Sequence, residues 1–108
     1  VSDAKFDHQI VLTTCPNPEI ADKIARVLVE EGLAACVNLL PAMQSIYTWR
    51  GKTETATEHL LLIKSITDRY PDIEARIRTL HPYELPEIIA IPVVHGLPDY
   101  LTWLNHPD

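Results

Sequence analysis

The chain has 108 residues, 46% of them hydrophobic and 22% charged, with 9 Lys and Arg against 15 Asp and Glu. This is one domain's worth of sequence, near the lower end for a self-sufficient core. The net charge of −6 excludes nucleic-acid binding by bulk phosphate attraction. No apolar run approaches the roughly 20 residues of a membrane-spanning helix, and three glycines leave no material for a phosphate-cradling loop. Cys15 and Cys36 make no disulfide framework and fit a reducing compartment. No signal-like segment opens the chain, so the expected setting is the cytoplasm.

Residues 1–8 are polar and read as a flexible N-terminal segment, followed by a single domain over 9–108. Gln9 to Thr14 is a β-branched run that reads as a buried strand. Asn17-Pro18-Glu19 starts a helix: Asn17 suits the cap, Pro18 the first turn and Glu19 the dipole. Ile20, Ile24, Val27 and Leu28 continue it at helical spacing, and Gly32 ends it. Leu33 to Trp49 is extended and broken by Pro41. Arg50-Gly51-Lys52 is a turn signal, and Thr53 to Ser65 returns as the second arm of a hairpin. Its tip alternates polar residues, whereas Leu60-Leu61-Leu62-Ile63 reads as a base buried on both faces.

Thr67 is the expected cap of a second helix, with Tyr70, Ile73, Ile77 and Leu80 inward and an Asp72–Arg76 pair outside. His81-Pro82 ends it. Ile88 to Val94 is a last strand, which Pro92 assigns to a sheet edge or a bulge. Pro98 to Asn105 is a short C-terminal helix. The order is an α+β, ferredoxin-like βαββαβ pattern with an extra helix. Hairpin arms of about 14 residues span roughly 45 Å, more than the roughly 34 Å diameter of a body this size. A projecting ribbon carrying Ile46, Tyr47 and Trp49 needs cover, and this predicts a closed homo-oligomer.

The densest chemistry lies in His81-Pro82-Tyr83-Glu84-Leu85-Pro86-Glu87, where two prolines stiffen a loop with a His, a Tyr and two carboxylates. The same loop also reads as a plain connector. No H-E-x-x-H or C-x-x-C occurs, so no preformed metal site is visible by spacing. No nucleophile elbow or oxyanion loop marks an enzyme.

Four segments carry a family resemblance: Leu33-Ala34-Ala35-Cys36-Val37-Asn38, Ser45-Ile46-Tyr47-Thr48-Trp49-Arg50-Gly51-Lys52, His81-Pro82-Tyr83-Glu84-Leu85-Pro86-Glu87-Ile88-Ile89 and Tyr100-Leu101-Thr102-Trp103-Leu104. In this order and spacing they resemble the CutA divalent-cation tolerance family, from about Gln9 to Asn105. The resemblance implies a ferredoxin-like subunit in a homotrimer with hairpins pairing across subunits. It also implies a role in tolerance of copper and other divalent ions, and no enzymatic activity.

Residue by residue, the resemblance picks out Cys36, Trp49, Lys64, Tyr83, Glu84, Glu87 and Trp103 as lining an inter-subunit cleft. It marks His81, Cys36 and Glu84 as the metal-ligand candidates, and it also picks out Gly51, Pro82 and Pro86. Leu80 stands where some relatives have a second His, and Thr13 and Thr14 where some have a Cys. Copper is therefore expected to be weakly held, with no tightly bound cofactor. The alternative is a sensor resembling the trimeric PII signalling proteins, using the same cleft for a small ligand. There Lys64 supplies a charge, Tyr83 and Trp49 stack, and Glu84 hydrogen-bonds. A third reading makes the cleft residues purely structural. No nucleic-acid or membrane partner is expected.

Overall fold

A computed structural model describes residues 6–108. Of the N-terminal segment expected over residues 1–8, residues 1–5 lie outside the described residues. His8 is already the first residue of strand β1 (His8–Cys15). Helix α1 (Pro18–Glu30), strands β2 (Cys36–Leu39), β3 (Met43–Trp49) and β4 (Lys52–Ile66), helix α2 (Tyr70–Leu80), strand β5 (Ile88–Pro92) and helix α3 (Pro98–Asn105) follow.

The main sheet runs β2-β4-β1-β5, and every neighbouring pair is antiparallel. Each helical crossover therefore returns the chain two strands away, with one strand inserted between. This is the split βαβ arrangement of a ferredoxin-like fold. β5 lies at the edge, where Pro92, opposite Gln9, withholds no donor that an inner strand would need.

The local chemistry follows the sequence signals with two exceptions. Asn17 caps α1 through its side-chain oxygen, which accepts from the Ile20 N–H at 2.8 Å. Thr67 does not cap α2. It opens a single 3₁₀ turn, and its hydroxyl instead donates to the Phe6 carbonyl at 2.8 Å. Arg76 does not pair with Asp72. It forks onto Glu31 at 2.9 to 3.2 Å and ties α2 to the end of α1. A bidentate partner across the helix pair outcompetes the neighbour four residues away.

The core lies between helices α1 and α2 and one face of the sheet. Val11, Ile24, Leu28, Leu61, Ile63, Ile73 and Ile77 are fully buried there. The other face behaves differently from the sequence expectation. Strand alternation puts Ile10, Leu12, Leu60 and Leu62 on it, and all four are only half-buried. Ile89 and Ile91, on the same face through their pairing with Leu12 and Ile10, are 50% and 46% exposed. The Leu60–Ile63 run is thus covered on one side only within a single chain.

β4 serves two ladders. Its C-terminal half pairs with β2 and β1, and its N-terminal half pairs with β3 alone. Leu39 faces Leu61, but Met43 faces Glu58. Three residues, Leu40, Pro41 and Ala42, therefore oppose two, His59 and Leu60. This is a bulge at Pro41, the position where a missing N–H is tolerated. The hairpin closes on Arg50 and Gly51, with φ of 51° and 81°. These angles match the two-residue turn that suits strand twist. Among the described residues no helix is long and apolar enough to cross a membrane. The longest dimension is 44 Å.

Two outcomes follow from these features. Asn17→Ala, which orphans the Ile20 N–H, costs about 1 kcal/mol in urea denaturation. The fully buried Cys15 thiol is pushed up to about 11 by burial and then by the Glu58 charge. In native protein at neutral pH, Cys15 therefore resists iodoacetamide and is alkylated only after unfolding.

Candidate functional site

The His81–Glu87 loop is anchored by an imidazole. His81 is buried. Its Nε2 lies 2.7 Å from the Thr14 carbonyl, and its Nδ1 lies 3.2 Å from the Tyr83 backbone N. A carbonyl only accepts and an amide N–H only donates, so the ring is the Nε2–H tautomer. Tyr83 is aimed by this contact and by packing of its ring against His81, centroids 4.7 Å apart. Its hydroxyl then donates to Glu58 Oε2 at 2.8 Å. Burial, then the Glu58 carboxylate, raise the Tyr83 phenol well above the usual tyrosine range.

Glu58 and Tyr83 form the floor of an open groove of about 580 Å³. β1 contributes Thr14, β3 contributes Ser45, Ile46, Tyr47 and Trp49, and the loop contributes Glu84, Leu85 and Glu87. The Pro41 bulge decides which β3 side chains take part. With the shifted register, Ser45, Tyr47 and Trp49 oppose Ala56, Glu54 and Lys52, and so share a face with Glu58. Without the extra residue that face would carry Gln44, Ile46 and Thr48 instead, because a one-residue slip reverses every side chain. At the rim the Arg50 guanidinium lies 5.3 Å from the Trp49 ring centre and 3.4 Å from Glu84 Oε1.

The residues expected from the sequence divide into two groups. Trp49, Tyr83, Glu84 and Glu87 line this groove. Cys36, Lys64 and Trp103 do not. Cys36 lies opposite Lys64 on β4, and the Lys64 Nζ is 5.9 Å above the Tyr100 ring, which itself stacks on Trp103. Thr14, which His81 contacts, pairs with Leu60, about 13 Å along β4 from Lys64.

The metal set His81, Cys36 and Glu84 is therefore not assembled within one chain. Cys36 is on another strand, Glu84 is largely exposed beside Arg50, and both His81 nitrogens are already hydrogen-bonded. Among the described residues no three His, Cys, Asp or Glu side chains converge to hold a metal ion. Sequence reasoning missed Glu58, one of two acids in the polar half of β4. Its only signal is its pairing position opposite Met43, just past the bulge.

The raised Tyr83 phenol gives a pH signature. In the unfolded chain a tyrosine ionises near about pH 10, whereas in the fold it resists. The stability that Tyr83 contributes is therefore complete below about pH 10 and is lost as pH rises from there toward the folded value. Urea denaturation of the wild type is expected to weaken as pH rises above about 10. Tyr83→Phe should show a shallower decline over that range.

Comparison with known proteins places the whole arrangement. The family model described as "CutA1 divalent ion tolerance protein" matches residues 9–107. The chain is 48% identical over 97 residues to the divalent-cation tolerance protein CutA of Thermus thermophilus, covering 90% of this chain and 94% of the relative. It is 49% identical over 92 residues to the mouse protein CutA, covering 85% of this chain but 52% of that longer relative. Among solved structures, the CutA1 of a psychrotrophic Shewanella superposes with a TM-score of 0.91 at 43% identity, over 96% of this chain and 99% of the other. The Thermus thermophilus structure gives 0.89 at 47% identity, over 91% of this chain and 95% of that one. With the match running almost end to end, this chain belongs to the CutA1 divalent ion tolerance protein family.

Proposed function

We propose that the chain works in divalent-cation tolerance as a homotrimer that senses a small ligand in the groove between copies, without enzymatic chemistry. The observation that carries this reading is the uncovered apolar sheet face. Leu12, Leu62, Ile89 and Ile91 lie on it in a chain whose Leu60–Ile63 run is patterned for burial on both sides. A surface of this kind is an interaction site. A projecting hairpin with Ile46 at 68% exposure is the natural arm to close over a neighbour.

In this reading packing of the copies completes the site. Trp49, Tyr83, Glu84 and Glu87 of one copy form one wall of a cleft. Cys36, Lys64 and Trp103 of the next form the other. Copper and other divalent ions are held weakly, drawn by the negative net charge and by the cleft carboxylates. His81 serves as the positioning residue of the loop and not as a ligand.

Sedimentation equilibrium is expected to give three times the mass of one chain. Ile91→Lys, on the open face, is expected to yield single chains that retain far-UV circular dichroism. A wild-type protein sedimenting as a single chain at micromolar concentration would contradict the reading. Calorimetric titration with copper at physiological salt is expected to show no saturable site of nanomolar affinity. His81→Asn is expected to lower the melting temperature while leaving the weak copper isotherm in place, as a positioning residue should.

A further inference from the structure

Glu58 is 7% exposed, and its hydrogen bond comes from a neutral phenol. That bond satisfies one oxygen and cancels no charge. Among the described residues no Lys, Arg or His lies within ion-pair distance of it. A buried carboxylate without a counter-ion is costly and is ordinarily paired. Here it sits at the floor of an open groove, where a partner from outside can reach it.

The walls define that partner. Tyr47, Trp49 and Tyr83 present aromatic surface, and Glu84 and Glu87 add negative charge at the rim. Aromatic faces around a carboxylate recognise organic cations. A divalent metal needs several converging oxygen, nitrogen or sulfur donors, and among the described residues no three His, Cys, Asp or Glu side chains converge. A free anion meets three carboxylates against one guanidinium, Arg50, which is already paired with Glu84. The chain supplies its own illustration, because the Arg50 guanidinium rests on Trp49 and Glu84 at the rim. The volume of about 580 Å³ is that of a small-molecule site.

We propose that the groove binds a small organic cation, a primary ammonium or guanidinium on a short apolar chain, with Glu58 as its counter-charge and Tyr47, Trp49 and Tyr83 as its walls. This rests on the reading of the groove as a sensing site and names the class of ligand sensed. The cation's head group donates to the Glu58 oxygen that Tyr83 leaves free. Its carbon chain lies against the aromatic rings.

The test uses the full-length chain in its native assembly. The Trp49 indole N–H resonance is followed while n-butylammonium is added, with n-butanol as neutral control and butyrate as anionic control. The expected result is a saturable shift with n-butylammonium alone. Glu58→Gln keeps the shape and the hydrogen bond from Tyr83, and is expected to weaken that binding by at least about tenfold while remaining folded and associated as the wild type is.

A saturable shift with n-butanol or butyrate of equal affinity, or one that Glu58→Gln leaves unchanged, overturns the cation class while keeping a ligand-binding groove. Silence from all three probes overturns both. A wild type that ignores n-butylammonium, together with a Glu58→Gln variant that falls apart into single chains, also overturns the proposal. It would show that the counter-ion is a basic side chain of a second copy.

Discussion

The extra residue at Pro41 is the constraint on which the site depends. β4 runs straight through two ladders, and only the opposing arm changes register. On one side of the bulge, β2 joins the sheet and helps bury the helical face. On the other, β3 has turned Tyr47 and Trp49 to the face that carries Glu58. A proline is well suited to the break, because it has no N–H to donate at a point where the ladder is interrupted. The residue at which the register shifts thus also decides which aromatic rings share the face of Glu58.

The groove floor is built outward from the sheet. Thr14, near the end of β1, offers its carbonyl to His81, and His81 accepts from the Tyr83 backbone. Tyr83 then presents its hydroxyl to Glu58 on β4. Two side chains of the loop and one of β4 are fixed in sequence, so a buried acid is held in a set direction with little freedom to rotate away. Both His81 nitrogens are consumed in doing so. A histidine prominent in the sequence therefore fixes the loop within the chain, and the buried acid it helps to aim is a glutamate with no motif around it.

Most of the fold was legible in the sequence, because its signals are local. Asn17-Pro18 marked the start of α1, Pro92 the edge strand, and Pro98 to Asn105 the last helix. Thr67 was misread because its hydroxyl had a competing acceptor, the Phe6 carbonyl 61 residues away in sequence, which no local pattern reveals. Arg76 chose Glu31 for the same reason. Half of the site was legible as the stiff loop from His81 to Glu87. Glu58 was not, because its burial depends on a register step in the opposite arm and on Tyr83 folding over it. The separation of Cys36 and Lys64 from the loop within one chain was likewise invisible, since a family resemblance groups residues without giving the distances between them.

The proposed assembly of several copies accounts at once for the apolar sheet face and for the division of the site residues into two groups. A crystal structure of the assembled protein at near-neutral pH tests this most directly. The account predicts three copies with Leu62, Ile89 and Ile91 buried between them, and with Cys36, Lys64 and Trp103 of one copy facing the Glu58–Tyr83 groove of the next. A structure in which that sheet face is open to solvent, or in which the two groups of residues stay on separate surfaces, would contradict it.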